Sequence, residues 1–382
     1  MPGTETPMDS MRVEDIVKKM AMDMKDDFGA MGHVNIIIAG KTGTGKSTLI
    51  NAAFRSHLAQ TGMGRPVTQE LRLIEKEDIP LRIYDTVGLE LDEARKQASI
   101  DEIRELIEGK LSEGSPDGFI HCMWYCVQAD SDRLEDAEQE YIREIAEKIP
   151  VVLVVTKSYL KKHAREFISV IEQYNMPVRA VCAVLAEPYD DEDFHAKAYG
   201  VDTLVEITTT LLPESAQRAW ANAQNASLKI KRERAESIVK QTVTVAFGTG
   251  YSPIPFSDAA LLVPTQLSMI ARITNVYGLS MTKRMMSGIL YSLLGTAGAT
   301  FAGRAVVSNL LKLIPGVGTL AGGTVSGGTA AALTYALGKT YIQIVEWLYK
   351  GEMQETDLES EDVKARIQDI LLGNLKKDTE KE

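Results

Sequence analysis

The sequence predicts an α/β domain built on a doubly wound, mostly parallel sheet, followed by an all-α, glycine-rich helical domain. Short apolar runs alternate with charged helical patterns from about residue 33 to residue 212, as they do where helices wrap a parallel sheet. Beyond Gln241 the charge density falls sharply, which marks a second domain of different composition. The predicted strands are residues 35–39, 71–75, 81–85, 119–127, 151–156 and 179–184, separated by helices such as 93–108 and 133–148.

Length and composition agree with two domains. At 382 residues the chain is longer than a single hydrophobic core usually supports. The apolar and charged fractions, 45% and 25%, are typical of a folded protein, and the formal charge of -11 argues against a specific nucleic-acid partner. We expect an N-terminal amphipathic helix within 1–32, the α/β domain over 33–213, a connecting helix over 214–240, the apolar helical domain over 241–350, and a charged tail with a short helix over 351–382.

The N-terminus and the cysteines indicate the compartment. The opening residues, MPGTETPMDSMRVEDIVKKM, lack a charged start followed by an apolar run, so no secretory signal is expected. Cys122, Cys126 and Cys182 form no CxxC pair, which is typical of a reducing compartment. We therefore expect three buried core thiols and a cytoplasmic protein.

A phosphate-binding loop follows the first predicted strand. Residues 40–47 read GKTGTGKS, which satisfies the pattern GxxxxGK[ST] between a strand and a helical pattern. Glycines let the backbone curl, so that successive N–H groups point at a phosphate beside the positive end of the next helix. Lys46 should reach the β- and γ-phosphates, and the Ser47 hydroxyl should ligate Mg²⁺. The predicted phosphate-binding residues are Gly40, Lys41, Thr42, Gly43, Thr44, Gly45, Lys46, Ser47 and Thr48.

Two later segments have the spacing of nucleotide-sensing switches. The run LRIYDTVG places Asp85 at the end of a strand, where it can hold Mg²⁺, and Gly88 three residues later, where its N–H can sense the γ-phosphate. Thr68, 21 residues after Ser47, can close over the metal, although an ordinary loop threonine is the alternative. The catalytic candidates are Lys46, Thr68 and Gly88, and the metal candidates are Ser47, Thr68 and Asp85.

The order GKTGTGKS, PVT, DTVG and VVTK resembles the translation-factor-related GTPases, in particular their Era-like and septin/AIG-like branches. The resemblance covers residue 34 to about residue 212. The later segments GYSPIPFSDAALLVPTQLSMI and IPGVGTLAGG resemble the YcjF-type helical domain that follows such GTPase domains in bacterial proteins. This resemblance implies GTP as substrate, GDP as product and Mg²⁺ as cofactor, with water attacking the γ-phosphate.

The base-reading motif departs from the family pattern. The family reads guanine with [NT]KxD, whose aspartate accepts hydrogen bonds from the N1–H and the N2 amine and thereby rejects adenine. Here the four residues are TKSY, and Tyr159 cannot offer a carboxylate. The resemblance still implies a preference for guanine, and a relaxed purine specificity is the alternative. The residues that it implies at the base are Thr156, Lys157, Cys182 and Ala183.

A second departure concerns the rate of hydrolysis. Leu89 follows the DxxG motif, where well-known small GTPases have a glutamine that orients water. We therefore expect slow intrinsic hydrolysis until a partner, or a second copy bound through the GTPase domain, completes the site. The rival interpretation is a nucleotide-dependent structural or membrane-associated protein that scarcely hydrolyses. A ribosome-assembly role ranks lower, because the chain shows no basic GxxG module and no aromatic stacking platform.

The apolar domain raises the question of a membrane. Between residues 241 and 350 there are seven Lys or Arg and two acids, and residues 285–303 and 313–338 carry no charge. The second run contains seven glycines, with Gly318, Gly322, Gly323 and Gly327 at GxxxG spacing. A soluble bundle with close small-residue contacts and a reversible, peripheral association with an anionic membrane surface at its cytosolic face both fit. A permanently spanning protein fits less well, because glycine and threonine dilute the leucines.

Overall fold

The computed structural model describes residues 13–55, 58, 65–66, 71–86, 93–249, 258–279, 282 and 327–379. The chain divides into two compact units. Met31–Ile230 forms the sheet unit, and Met1–Ala30 together with Lys231–Glu382 forms the helical unit.

The sheet unit contains one sheet of seven strands within the described residues. Their order is β2-β3-β4-β1-β5-β6-β7, in which β4, β1, β5, β6 and β7 run parallel and β2, β3 and β4 pair as antiparallel neighbours. This confirms the predicted mostly parallel sheet. The strands are β1 Val34–Ala39, β2 Arg65–Pro66, β3 Leu71–Lys76, β4 Ile79–Thr86, β5 Ile120–Gln128, β6 Val151–Thr156 and β7 Ala180–Ala183; a separate hairpin is formed by β8 Tyr189–Asp190 and β9 His195–Ala196.

The central strands form because they are β-branched and apolar on both faces. Every residue of β1 (VNIIIA) and of β6 (VVLVVT) is buried, which is the pattern of parallel strands covered by helices on both sides. Cys122, Cys126 and Cys182 are free and buried, as predicted. The helices of this unit are α2 Lys46–Ala53, α3 Glu93–Ser112, α4 Asp136–Ala146, α5 Lys161–Gln173, α6 Val201–Leu211 and α7 Glu214–Ala223.

The segment predicted as one connecting helix over 214–240 is two helices, α7 and α8 Leu228–Thr249. The fully buried Trp220 of α7 packs edge-on against Phe54 and Trp124, with ring centroids 5.4 and 6.0 Å apart. The helix stops at Gln224, whose side chain accepts a hydrogen bond from the Ser227 N–H at 2.8 Å. Because α7 buries a tryptophan in the core beneath the sheet, it belongs to the sheet unit rather than to a linker.

The end of α2 is bonded to the end of α7. The Arg55 N–H donates to the Ala223 carbonyl at 3.2 Å, and the Asn225 N–H donates to the Ala53 carbonyl at 2.8 Å. These bonds flank an isolated antiparallel bridge between Phe54 and Gln224. The helix that follows the phosphate loop therefore ends on the residues that lead into α8.

The described helices of the helical unit, besides most of α8, are α1 Val13–Gly29, α9 Asp258–Tyr277, α10 Gly327–Tyr349 and α11 Glu361–Thr379. The N-terminal helix α1 packs on α9, where the Asn275 side-chain amide donates to the Met24 carbonyl at 2.8 Å. A buried carboxylate joins three helices: Glu346 accepts hydrogen bonds from Arg232 Nε at 2.7 Å and from the Tyr277 hydroxyl at 3.0 Å.

Close helix approach in this unit depends on Gly338. A Cβ atom built on this residue of α10 would lie 2.6 Å from a methyl group of Val239 on α8. The glycines at positions 318, 322 and 323 and the uncharged run 285–303 lie outside the described residues, as do residues 313–326 of the second run. Within the described part of the chain, no helix is both long enough and apolar enough to cross a membrane.

Candidate functional site

The phosphate loop connects β1 to α2 at the carboxyl end of the sheet. Its glycines adopt positive φ angles: +138° at Gly40, +82° at Gly43 and +85° at Gly45. Residues that carry a side chain rarely adopt these backbone conformations, so the loop needs glycine at these positions to curl. On the inside of the curl, Lys46 Nζ donates hydrogen bonds to the carbonyls of Gly40, at 2.7 Å, and of Lys41, at 3.2 Å.

Neighbouring strand ends hold the loop in place. The Thr156 hydroxyl, at the end of β6, contacts the carbonyl oxygens of Thr44, at 2.6 Å, and Val127, at 3.0 Å. The Gln128 side-chain amide donates to the Gly43 carbonyl at 3.2 Å. The sequence predicts Thr156 as a base-binding residue, whereas the structure directs its hydroxyl to the loop. Thr156 therefore holds the loop backbone, and it also lines a cavity that adjoins the loop.

Lys46 and Asp85 form the charged centre of the site. Burial lowers the pKa of Lys46, and the nearby Asp85 carboxylate opposes that shift. Burial also raises the pKa of Asp85, opposed by the positive charges of Lys46 and Arg72. Each charge is thus desolvated and compensated mainly by the other, in a location that a polyphosphate and a cation can share.

The residues present suit a magnesium ion. Asp85 Oδ1 is buried and has no hydrogen-bond partner within the described residues, and such an orphaned acceptor is unusual unless a ligand completes it. Ser47 lies exposed in the first turn of α2. Mg²⁺ prefers oxygen ligands and usually combines one or two protein groups with phosphate oxygens and water, which matches this donor set. The predicted residues Thr68 and Gly88, and the neighbouring Leu89, lie outside the described residues.

No cluster of three or more His, Cys, Asp or Glu able to hold a metal ion occurs in the part of the chain that the structure describes.

Lys41 behaves differently from the rest of the loop. Its ammonium group lies 2.7 Å from a carboxylate oxygen of Glu135 and 3.5 Å from one of Glu138. Both acids form the capping box at the start of α4. The prediction places Lys41 among the phosphate-binding residues, but in the structure its side chain is paired with α4, which leaves only its backbone to face a phosphate.

A cavity of about 200 Å³ adjoins the loop on the side of β6 and β7, away from β4, the strand that carries Asp85. Lys157 contributes to it from a positive φ of +51°, a conformation that is uncommon outside glycine and often marks functional positions. The lining residues are Gly45, Thr48, Thr156, Lys157, Tyr159, Val184, Leu185, Ala186, Glu187, Pro188 and Tyr189.

The expected base-supporting pair, Cys182 and Ala183, does not line this cavity. Both belong to β7, which ends at Ala183, and the Cys182 thiol is buried, which raises its pKa to about 12. The cavity wall is made instead by the segment directly after the strand, Val184–Tyr189. The register of β7 against β6, which the sequence pattern does not specify, decides which residues emerge at this edge.

Sequence reasoning missed the wall formed by the segment 184–189. The rings of Tyr159 and Tyr189 lie 4.6 Å apart, and Glu187 is on the same wall. The nearest sequence signal is the acidic run EPYDDED over 187–193, which looks like an ordinary solvated turn.

Two family models match the chain. Residues 35–157 match the family described as "50S ribosome-binding GTPase", and residues 215–374 match the family described as "Domain of unknown function (DUF697)". The second match begins within α7, so the family boundary does not coincide with the boundary between the two units.

Several curated proteins are similar to parts of the chain. "Magnetosome membrane protein 22" of Magnetospirillum gryphiswaldense is 34% identical over 112 residues, which cover 29% of this chain and 57% of that protein. "Septin-12" of Homo sapiens is 27% identical over 179 residues, which cover 41% of this chain and 46% of that protein. "tRNA modification GTPase MnmE" of Pasteurella multocida is 31% identical over 130 residues, which cover 33% and 27%. The chain thus spans between 27% and 57% of the length of these relatives.

Proposed function

We propose that the chain, whose residues 35–157 match a GTPase family and whose residues 215–374 match DUF697, is a GTP-binding switch protein. It binds GTP and hydrolyses it to GDP and phosphate with Mg²⁺. The observation that carries this proposal is the Lys46 ammonium group inside the glycine loop, electrostatically coupled to the buried Asp85 carboxylate.

The residues have the following roles in this proposal. The loop amides and Lys46 hold the β- and γ-phosphates and stabilise the charge that develops during transfer. Ser47 and Asp85 hold the Mg²⁺ ion, which supplies charge neutralisation at the phosphate oxygens when bound. Thr68 completes that set from the first switch, and the Gly88 N–H senses the γ-phosphate, so both segments rearrange when the phosphate leaves.

We propose a slow intrinsic rate, because Leu89 cannot orient water. A second copy of the chain or another partner then completes the site. Turnover per molecule that rises with protein concentration supports catalysis assembled by dimerisation. A negligible rate that is independent of concentration supports the rival function, a nucleotide-dependent structural protein that binds without turnover.

The phosphate-loop assignment is tested with Lys46→Ala. This change should weaken GDP binding at least 100-fold, about 2.7 kcal/mol, because it removes the buried cation that faces the phosphates. The matched control is Lys162→Ala, which changes a lysine that is 85% exposed and pairs with Glu166 on the surface of α5. The measurement is titration with labelled GDP, together with a circular-dichroism spectrum to show that both variants are folded. Equal affinities in the two variants contradict the proposal.

We also propose that the nucleotide state is passed to the DUF697 domain and that this domain associates reversibly with an anionic membrane surface. Residues 241–350 carry seven cationic and two acidic side chains, which supports the membrane proposal. The similarity to a protein named as a magnetosome membrane protein also supports it. The full chain should float with vesicles that contain phosphatidylserine, less so at high salt, and should not float with phosphatidylcholine alone. Recovery in the soluble fraction with both vesicle types contradicts the membrane proposal, and equal flotation with GTP and GDP contradicts the coupling.

A further inference from the structure

We propose that Glu187 supplies the carboxylate that recognises the guanine base, in place of the aspartate that this chain lacks at position 159. The inference rests on the proposed GTP binding and assigns the residue that decides between guanine and adenine. It concerns a wall of the cavity that no sequence motif marks.

The position of the cavity identifies it as the place for the base. Gly45 and Thr48 lie in the phosphate loop and in the first turn of α2, and both also line the cavity. A nucleotide whose phosphates lie in the loop therefore directs its base toward the ends of β6 and β7, outside the carboxyl edge of the sheet. Lys157, at the end of β6, contributes an aliphatic stem that can cover one face of a purine.

The chemistry of the lining selects one acceptor. The Watson–Crick edge of guanine presents two donors, N1–H and the N2 amine, whereas adenine presents an acceptor at N1. An ionised carboxylate only accepts, so it pairs with guanine and opposes adenine. Among the described residues that line the cavity, Glu187 alone carries a carboxylate, and it has no hydrogen bond or ion pair with another described residue. The Tyr189 hydroxyl, by contrast, donates to Asp191 at 3.2 Å.

The segment that carries Glu187 is fixed on both sides. Before it, Leu185 exchanges backbone hydrogen bonds of 3.0 Å in both directions with Tyr199. The Tyr199 hydroxyl in turn donates to the Ser158 carbonyl at 2.9 Å, which ties this segment to the TKSY motif. After it, Pro188 restricts the backbone, and the Tyr189 ring contacts the Tyr159 ring. Tyr159, which replaces the family aspartate, thus packs against the segment that brings in the substitute carboxylate.

The test is Glu187→Gln in the full chain with Mg²⁺. The amide keeps one acceptor for N1–H but presents an NH₂ group to the second position, where guanine has an amine and xanthine has a carbonyl. GDP affinity should fall at least tenfold and XDP affinity should rise at least tenfold, measured by titration with labelled GDP and XDP and by competition with ADP. This inversion of selectivity is a readout that simple loss of stability does not produce.

The matched control is Glu192→Gln, which makes the same chemical change five residues further along the acidic run, outside the cavity lining. It should leave the ratio of GDP to XDP affinity unchanged. If Glu187→Gln keeps the wild-type ratio while Lys46→Ala abolishes binding, the base assignment fails and the proposed function survives. If the wild-type chain binds GDP and ADP equally, the base assignment also fails. If it binds no nucleotide, both proposals fail.

Discussion

Gly40 leaves β1 with a φ of +138°, and a Cβ atom on it would lie 2.3 Å from the backbone oxygen of Cys126. Gly40→Ala must therefore displace β5 or the loop, and we expect a loss of stability of about 3 kcal/mol. Gly45→Ala is the control, because Gly45 has a φ of +85° but no atom within 4 Å of its Cβ position. It should lose only about 1 kcal/mol. Urea denaturation of both variants measures the difference, and equal losses would show that the contact with β5 is unimportant.

Asp85 offers a second test at the scale of one residue. Burial raises the pKa of Asp85, opposed by the charges of Lys46 and Arg72, so ionised Asp85 is less favourable in the folded than in the unfolded chain and lowers stability at neutral pH. Asp85→Asn removes this cost but also leaves the desolvated Lys46 ammonium group without its main compensating charge, so the melting temperature of the protein without ligands should change little. The variant should also lose most of the increase in GDP affinity that Mg²⁺ gives the wild type, because the amide oxygen that remains carries no negative charge. A variant whose affinity still depends on Mg²⁺ as strongly as the wild type does would exclude Asp85 as a metal ligand.

The site residues differ in how far sequence alone locates them. Those of the phosphate loop follow from a contiguous motif, because the curl of residues 40–47 is determined by local glycines. The residues next to the base depend on where β7 ends against β6. The sequence predicts Cys182 and Ala183 there, whereas the structure has the segment Val184–Tyr189 at that edge. No sequence pattern identifies Glu187 as a site residue, because the other cavity-lining residues Gly45 and Lys157 are distant from it along the chain.

At the scale of an element, two helical glycines provide a matched pair. Gly338 of α10 is packed against Val239, whereas Gly373 of α11 has no atom within 4 Å of its Cβ position. Alanine improves intrinsic helix propensity equally at both positions, by about 1 kcal/mol. Gly373→Ala should therefore stabilise the protein and Gly338→Ala should destabilise it, because the added methyl group forces α8 and α10 apart. Thermal unfolding measures both, and stabilisation by both substitutions would contradict the close packing.

Helix α7 shows why one element could not be assigned from its pattern. The segment ESAQRAWANA is amphipathic, and the same pattern fits a solvent-exposed connector or a helix packed on a sheet. Which of the two it forms depends on Trp220, which packs against Phe54 and Trp124 in the folded chain. The strands of the sheet were predictable because continuous apolar runs such as VVLVVT have few alternatives.

At the scale of the whole molecule, the division into units predicts which fragments fold. A fragment of residues 31–230 keeps α7 and should unfold cooperatively. A fragment of residues 31–213, which ends at the boundary expected from sequence, lacks Trp220 and leaves Phe54 and Trp124 uncovered. It should lose about 3–5 kcal/mol of stability, as expected for deletion of a buried tryptophan, and should aggregate. Thermal melts with light scattering compare the two, and equal melting temperatures would place α7 outside the core.

The bonds between the ends of α2 and α7 have a mechanical consequence. Helix α2 is a rigid rod of eight residues, about 12 Å long, and its first turn borders the phosphate loop. The C-terminal end of α2 is hydrogen-bonded to Ala223 and Asn225, and α8 begins at Leu228. Under the proposed coupling, a tilt of α2 at its nucleotide end would be passed through these bonds to Ala223 and Asn225, shortly before α8 begins.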